Sequence, residues 1–267
     1  MIGSDNTELK PITIDINEYP SELHLYLDGA KLYDSSCSEQ ARVIFIDKDD
    51  GYFLKSAPKG FLEREAVMTR YFHGQGFAAN VLSYINDKQD WLLTDKIHGN
   101  DGTTEKYLEQ PERLCDMFAE RLSLLHAKGF SDCPIPNHTE LYLNKAEENK
   151  RNGTYDKSQF PDSWGYKSEE EAWEVARKYG HLLKTDTLLH GDYCLPNIIL
   201  KDWQFSGFID LDHAGVGDRH VDLFWATWTL VWNLKTHRYR ERFFDAYRRE
   251  KIDEDMLRIV AVFEVFG

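Results

Sequence analysis

The hydrophobic pattern of this 267-residue chain changes near residue 100, and this change constrains the fold more than any other feature. Before it, short runs of β-branched and aromatic residues alternate with polar turns, which is typical of antiparallel strands. After it, apolar residues recur at helical spacing, and Pro111 suits the first turn of a helix. The sequence therefore predicts an α+β fold with a strand-rich N-terminal lobe at residues 1–96 and a helical C-terminal lobe at residues 97–267.

The individual elements follow from the same pattern. In the first lobe we expect strands at 42–47, 52–56, 81–85 and 91–94 and a helix at 61–72. In the second lobe we expect helices at 111–128, 140–150 and 168–178, short strands at 187–189, 198–200 and 208–209, and helices again from 221 onward. The join is predicted near 96–103, with a cleft between the two lobes.

Charge and cysteine usage restrict the partners. The formal net charge of −14 argues against nucleic acid, whose phosphates require Lys and Arg, and is compatible with a cationic small molecule. The four cysteines form no CxxC pair and no zinc-like spacing with histidine, so we expect reduced thiols and a cytoplasmic protein. No apolar run is long enough for a transmembrane helix, and no membrane partner is expected.

The most informative stretch is His190-Gly191-Asp192-Tyr193-Cys194-Leu195-Pro196-Asn197, followed by Asp210 thirteen positions later. Protein kinases have His-Arg-Asp, then Asn after four intervening residues, then Asp-Phe-Gly. Gly191 takes the place of that arginine, and Ile-Asp-Leu the place of Asp-Phe-Gly. The pattern predicts phosphoryl transfer to a hydroxyl group.

The residue types fit this chemistry. Asp192 is a carboxylate that can orient the attacking hydroxyl and accept its proton. Asn197 and Asp210 supply the oxygen ligands that Mg²⁺ prefers. The sequence therefore predicts a kinase that uses Mg²⁺ and ATP, or GTP, as cofactors.

The segments 190–197 and 206–223 resemble the aminoglycoside phosphotransferases, in particular the 3′-type enzymes that modify kanamycin and neomycin. The resemblance extends from about Leu32 to the C-terminus. It implies a protein-kinase-like fold, a nucleotide donor, and an aminoglycoside hydroxyl, the 3′-hydroxyl, as acceptor, which would give antibiotic resistance.

The resemblance also implies roles on the nucleotide side. Lys55 matches the lysine that contacts the α- and β-phosphates, and Glu65 matches its ion-pair partner, with Glu63 as the competing choice. Phe53 matches an aromatic residue that stacks on adenine.

The hinge matches the family, whereas the phosphate-covering loop departs from it. The backbones of Asp95 and Ile97 match the hinge that binds the adenine edge. The loop at 34–41 has no glycine where the family has one, so Ser36 and Ser38 with the loop amides are the candidates for holding a phosphate.

Two further positions match scaffold residues. His190 resembles a histidine that braces the catalytic loop, and Asp222 resembles the aspartate that holds this loop from the following helix. Cys194 has no activating base in the sequence, so we interpret it as a packing residue.

The acceptor side departs from the family. Asp162, Glu169 and Glu264 are the candidates for binding the acceptor's ammonium groups. Acidic or basic positions of the family are instead occupied by Phe263, Trp232, Asn233 and His213. We therefore expect weaker or narrower handling of aminoglycosides, with Trp228 and Trp232 either as flat walls for a sugar ring or as core residues.

Two alternatives remain open at this stage. One is a kinase of the same fold for another hydroxylated metabolite, such as an amino alcohol or a sugar. The other is a pseudokinase that only binds nucleotide, against which the joint presence of Lys55, Asp192, Asn197 and Asp210 argues. A protein kinase is disfavoured because no Ala-Pro-Glu follows Asp210.

Overall fold

The computed structural model describes residues 10–38, 40–155 and 165–267. Internal contacts divide the chain into two compact units. Unit 1 comprises Met1–Glu105 and Pro196–Asp212, and unit 2 comprises Lys106–Leu195 and His213–Gly267. The sequence predicted a single boundary after residue 96, and it did not predict that Pro196–Asp212 belongs to unit 1.

Within the described residues the strands are β1 (Lys10–Ile12), β2 (Lys31–Asp34), β3 (Arg42–Asp47), β4 (Tyr52–Pro58), β5 (Val81–Asn86), β6 (Gln89–Asp95), β7 (Asn100–Asp101), β8 (Thr187–Leu189), β9 (Ile198–Lys201), β10 (Gln204–Phe208) and β11 (Gly215–Gly217). The helices are α1 (His24–Leu27), α2 (Glu63–Gly74), α3 (Glu105–Leu108), α4 (Pro111–His126), α5 (His138–Asn152), α6 (Glu169–Tyr179), α7 (His220–Leu234), α8 (Tyr239–Tyr247) and α9 (Glu254–Phe266).

The predicted elements agree with this list in kind, with differences at their ends. The strands β3 and β8 have the predicted bounds, whereas β1 and β2 were not foreseen because their short segments show little alternation. Ile209 was predicted to be in a strand, but β10 ends at Phe208. The helix predicted to reach residue 128 ends at His126.

Unit 1 contains a six-stranded antiparallel sheet in the order β1-β2-β3-β4-β6-β5. The side chains of Ile44, Ile46, Leu54 and Leu93 are almost fully buried in a core on one face. Successive residues of a strand point to opposite faces of the sheet, so Phe53 and Lys55, which flank Leu54 in β4, point away from this core. The alternation of β4 therefore directs Lys55 to the opposite face.

A second, three-stranded sheet in unit 1 has the order β10-β9-β7. Its hairpin is closed by Asp202 and Trp203, which both have positive φ angles, 50° and 68°. A two-residue turn of this kind matches the twist of antiparallel strands and sets the register next to the turn, and a bulge between Phe205 and Gly207 then shifts it by one residue. The register pairs Ile198 with Phe208, so the residues just before β9 and just after β10 are at the same end of the hairpin.

Unit 2 contains the helices α4 to α9 and the two-stranded sheet β11-β8. Pro111 is the first residue of α4, as predicted, and Ser168 and Asp253 cap α6 and α9 with side-chain hydrogen bonds. α9 is buried along most of its length and packs against α5, α6 and α7. Among the described helices, none combines the length and the apolar character needed to cross a membrane.

Candidate active site

In unit 1 the Lys55 ammonium group lies between two carboxylates. Its Nζ atom is 2.8 Å from Glu65 Oε2 and 2.9 Å from Asp210 Oδ1. Lys55 comes from β4, Glu65 from α2, and Asp210 from the segment after β10. Glu65 is buried and Glu63 is exposed, so the partner of Lys55 is Glu65 rather than the competing Glu63.

The two carboxylates differ in their surroundings. Burial by itself would lower the pKa of Lys55, but the charges of Glu65 and Asp210 outweigh it and raise that pKa above its ordinary value. Burial raises the pKa of Glu65 to about 7 against the opposing charge of Lys55. The Asp210 side chain is 51% exposed and accessible to a ligand, whereas Glu65 is enclosed. Lys55 is thus a fixed cation with one buried and one open partner.

Asn197 and Asp210 are brought to one end of the β9–β10 hairpin. Asn197 immediately precedes β9, and its carbonyl oxygen accepts a hydrogen bond of 3.0 Å from the Ile209 amide. Asp210 follows Ile209 with a φ of 56°, a left-handed conformation that Asp tolerates better than most residues. The hairpin therefore brings together two residues that are thirteen positions apart in the chain.

This pair suits a hard divalent cation. A carboxylate and an amide are oxygen donors of the kind that Mg²⁺ selects, and Mg²⁺ keeps several ligands from water and phosphate. Among the described residues there is no cluster of three or more His, Cys, Asp or Glu that could hold a metal by itself. The donor set fits a cation that is bound together with nucleotide phosphates rather than in an all-protein cage.

In unit 2 the loop around Asp192 depends on a glycine. Gly191 has a φ of 86°, and a Cβ atom at this position would lie 2.0 Å from the carbonyl oxygen of His213. Any side chain would clash with this backbone and would also be strained in the left-handed region. The close approach of the two backbone segments accounts for Gly191 at the position where protein kinases have arginine.

Asp222 holds this loop from α7. Its carboxylate accepts hydrogen bonds from the backbone amides of His190, at 2.9 Å, and Gly191, at 2.7 Å. Burial alone would raise the pKa of Asp222, but the hydrogen bond and charge of His126 keep it below its ordinary value. His190 is buried, and the Asp192 amide donates to its Nδ1 at 3.3 Å. Asp222 and His190 thus lie where they can brace the loop that carries Asp192.

His126 was missed by the sequence analysis. Its Nε2 is 3.0 Å from Asp222 Oδ2 and its Nδ1 is 2.7 Å from the Tyr247 hydroxyl. The pair joins the end of α4 to α7 across 96 positions of sequence. A histidine in the last turn of a helix is ordinarily interpreted as a helix-end cation, so no local signal distinguishes it.

Glu264, predicted to bind the acceptor, is partly buried in α9. Its Oε1 accepts a hydrogen bond of 2.9 Å from the Tyr142 hydroxyl. Burial raises its pKa to about 8, and the nearby charge of Asp192 acts in the same direction. The charge of Asp192, the predicted base, therefore acts on Glu264. With a pKa of about 8, the Glu264 carboxyl group favours the protonated form at neutral pH.

We expect a Glu264→Gln variant to change how stability depends on pH. The pKa in the folded chain, about 8, exceeds the ordinary 4.5, so between these values the folded chain holds a proton that the unfolded chain has lost. Stability from this group is fully present below pH 4.5 and is lost as the pH rises through 8. Over this pH range the wild type should lose unfolding free energy on the order of 3 kcal/mol, with allowance for the partial exposure of Glu264. The variant should not show this loss. Melting temperatures of both proteins from pH 5 to 9 measure it; parallel curves would contradict the assignment.

The remaining residues predicted for the nucleotide lie in unit 1. Phe53 is partly buried and contacts the Phe45 ring, with 5.2 Å between centroids. Asp95 ends β6 and is tied to Asn80, whose amide donates to its carboxylate at 2.7 Å. The Asp95 amide donates to the Asn80 carbonyl, so a contact of its backbone with adenine would use the carbonyl oxygen. Ile97 follows β6 and packs against Gly207.

The glycine-free loop is closed by one of its serines. Ser36 Oγ accepts a hydrogen bond of 3.0 Å from the Val43 amide, and the Ser36 amide donates to Asp34. Ser38 is exposed. The Ser36 hydroxyl thus braces the loop against β3, and Ser38 has the more accessible hydroxyl.

The two remaining acceptor-side predictions are Glu169 and Asp162. Glu169, at the start of α6, is bound to Lys150 and to the Tyr155 hydroxyl, at 2.7 Å from the latter. Asp162 is outside the described residues. Glu169 already has a cationic partner, Lys150, within unit 2.

Comparison with known proteins identifies the class to which this chain belongs. A sequence model of the phosphotransferase enzyme family matches residues 33–259. The chain therefore belongs to this family, and it is an enzyme.

More particular relatives agree. The chain is 52% identical over 264 residues to a protein named as a probable aminoglycoside 3′-phosphotransferase from Lactococcus lactis, covering 98% of this chain and 100% of the relative. It is 32% identical over 175 residues to an aminoglycoside 3′-phosphotransferase from Niallia circulans, covering 63% of this chain and 64% of that relative. The resemblance to this family that the sequence indicated is confirmed.

Solved structures share the fold. A type VIII aminoglycoside 3′-phosphotransferase superposes with a TM-score of 0.74 at 20% identity, over 94% of this chain and 96% of that one. An aminoglycoside phosphotransferase from Streptomyces rimosus, solved with ADP and streptomycin, has a TM-score of 0.69 at 19% identity, over 95% and 99% of the two chains. The predicted α+β, kinase-like fold is confirmed.

Proposed function

We propose that this enzyme transfers the γ-phosphoryl group of ATP, or GTP, to the 3′-hydroxyl of an aminoglycoside antibiotic and so gives resistance to it. The Lactococcus relative, with 52% identity over its whole length, carries a name for this reaction. The observation that carries the proposal within the structure is the placement of Lys55 between Glu65 and Asp210. A fixed cation beside an exposed carboxylate is the arrangement that phosphoryl transfer requires for binding nucleotide phosphates.

Asp192 orients the acceptor and takes its proton. The loop that carries it is shaped by Gly191 and tied to Asp222, so the backbone from which its carboxylate projects is held in place. Holding the attacking oxygen in line with the phosphorus is the main task in this reaction, because the transition state needs little covalent assistance. Asp192 is thus proposed as the base, with His190 and Asp222 as positioning residues.

Asn197 and Asp210 would hold Mg²⁺. When bound, the ion would neutralise charge on the nucleotide phosphates and on the transferring group. The chain's own contribution is the hairpin that fixes the two oxygen donors at one end. The exposure of Asp210 is consistent with a carboxylate that exchanges its contact with Lys55 for a ligand.

The charge of the protein favours the proposed acceptor. Aminoglycosides carry several ammonium groups, and the formal net charge of −14 attracts cations to the protein. The charge of Asp192 helps to raise the pKa of Glu264, and an ammonium group near Glu264 would favour its ionised form. Substrate binding would then be accompanied by release of a proton from Glu264.

An enzyme-coupled assay of ADP release tests this proposal. The acceptors are kanamycin, neomycin, an analogue that lacks the 3′-hydroxyl, an amino alcohol and a neutral sugar. We expect turnover with the first two and none with the 3′-deoxy analogue, and ³¹P–¹H correlation spectroscopy of the product should assign the phosphate to the 3′-oxygen. Turnover with only the amino alcohol or the sugar would replace the proposed acceptor. Nucleotide binding without turnover on any acceptor would favour the pseudokinase.

A further inference from the structure

Three tryptophans form a contact ladder along α7 in unit 2. They are Trp225, Trp228 and Trp232, at the three- and four-residue spacings that bring side chains onto one face of a helix. Trp225 and Trp228 meet edge to face with centroids 5.5 Å apart, and Trp228 and Trp232 are parallel within 6° at the same separation. The Trp228 and Trp232 side chains are 42% and 44% exposed, so the interpretation of these two residues as core is wrong.

One end of this ladder reaches the catalytic loop. The Trp225 carbonyl accepts a contact of 4.0 Å from the thiol of Cys194, two residues after Asp192 in the catalytic loop. One helical turn further, the buried hydroxyl of Thr229 accepts a hydrogen bond of 3.3 Å from the Leu195 amide, three residues after Asp192. The ladder therefore extends along α7 from the neighbourhood of the base to the exposed end of the helix.

The other end already holds an ammonium group. Lys235, which follows α7 in a left-handed conformation with a φ of 55°, has its Nζ 4.4 Å from the centroid of the Trp232 ring. An ammonium at this distance is attracted by the electron-rich face of the indole. Lys235 thus places on this surface the same functional group that an aminoglycoside carries in several copies.

The ladder also solves a problem that the sequence raised. Trp232 stands where the resembled family has an acidic residue, so an ammonium group loses an ion pair at this position. A tryptophan face can attract a cation without a carboxylate, and it also packs against the apolar C–H face of a sugar ring. Adjacent exposed apolar side chains of this kind are typical of a binding surface.

We propose that the exposed faces of Trp228 and Trp232 bind an ammonium-bearing sugar ring of the acceptor, and that the Lys235 ammonium group is the occupant that the acceptor displaces. This inference rests on the proposed aminoglycoside acceptor and names the residues that determine acceptor specificity. In this inference Lys235 competes with the acceptor, so removing its charge should strengthen acceptor binding. Removing a tryptophan ring should weaken acceptor binding.

The opposite signs define the experiment. Removing the ring in Trp232→Ala should raise the KM for kanamycin about three- to thirty-fold. The lower limit corresponds to a cation–π contact at a partly exposed site, and the upper limit to one at a desolvated site. Removing the competing charge in Lys235→Gln should lower the same KM about two- to five-fold. Trp232→Phe should lie between Trp232→Ala and the wild type. The KM for ATP and the melting temperature should stay within about twofold and a few degrees of wild type.

A matched control exists on α6. Tyr179 is an exposed aromatic residue, 39% accessible, and the Lys178 ammonium lies 5.0 Å from its ring centroid. It reproduces the lysine-over-ring pair of Lys235 and Trp232 outside the ladder. Tyr179→Ala should leave the acceptor KM unchanged.

The outcomes are distinguishable. If the wild type turns over no aminoglycoside, the proposed function fails and takes this inference with it. If the wild type is active and Trp232→Ala leaves the kanamycin KM within twofold, the inference alone fails. It also fails if Lys235→Gln raises this KM, or if Trp232→Ala raises the KM values for ATP and kanamycin equally, since the ladder would then be structural. Quenching of tryptophan fluorescence by kanamycin, lost in a Trp228→Phe, Trp232→Phe double variant, gives an independent binding readout.

Discussion

Replacing Asp192 with asparagine is expected to lower kcat for phosphoryl transfer by about 10²–10⁴-fold, the usual contribution of a general base. Asparagine has nearly the same shape but cannot accept the proton of the acceptor hydroxyl. The loop should keep its conformation, because its hydrogen bonds to Asp222 come from the backbone amides of His190 and Gly191 rather than from the Asp192 side chain. The KM for ATP should therefore change little.

Steady-state kinetics with kanamycin and ATP measure this effect. Asp255→Asn is the control, because Asp255 is in the same unit and its side chain is 81% exposed at the start of α9. Retention of more than about a tenth of the wild-type kcat by Asp192→Asn would mean that another group is the base. A parallel rise in the KM for ATP would indicate a disturbed loop instead of a missing base.

Replacing Asp210 with asparagine should weaken nucleotide binding and turnover together, with a fall in kcat/KM for ATP of about 10²–10³-fold. Losses of this size accompany the removal of one preorganised charge-stabilising group. The variant keeps an oxygen at the end of the hairpin but loses the negative charge that attracts Mg²⁺. It also removes one of the two carboxylates that raise the pKa of Lys55.

Titration of activity against Mg²⁺ separates this effect from a general loss of structure. The variant should need more Mg²⁺ for half-maximal activity, while Asp202→Asn should not. Asp202 is in the turn of the same hairpin, at the end opposite to Asn197 and Asp210, and has a φ of 50° that asparagine also tolerates. An unchanged Mg²⁺ requirement in Asp210→Asn would move the metal site away from this hairpin.

The sequence located these residues because their signal is local. The segment from His190 to Asn197 has a fixed spacing, and Asp210 follows at the end of a two-strand hairpin whose turn is only two residues long. Short-range patterns of this kind determine strand pairing and therefore which side chains share one end of a hairpin. The turn sets the register of β9 and β10 at its own end, and a bulge between Phe205 and Gly207 shifts it by one residue, so that Phe208 pairs with Ile198 and the Ile209 amide meets the Asn197 carbonyl.

Other features could not be read in the same way. Lys55 and Asp210 are 155 positions apart, and their contact depends on the return of Pro196–Asp212 to unit 1. The preference for Glu65 over Glu63 depends on which of the two is buried next to Lys55, a matter of how α2 packs. In the sequence alone, only the resemblance to known enzymes indicated the roles of these residues.

The amino-acid sequence by itself determined the α+β class, most strands and helices, and the types and spacing of the residues around Asp192, because hydrophobic periodicity and motif spacing are properties of neighbouring positions. Only the tertiary structure decided why Gly191 is required, that His126 supports Asp222, that Glu264 is hydrogen-bonded to Tyr142, and that Trp228 and Trp232 are exposed. Each of these depends on burial or on contact between segments far apart in the chain. Burial sets the cost of a charge, and the approach of a second backbone decides which side chain fits, and neither quantity exists before the chain has folded.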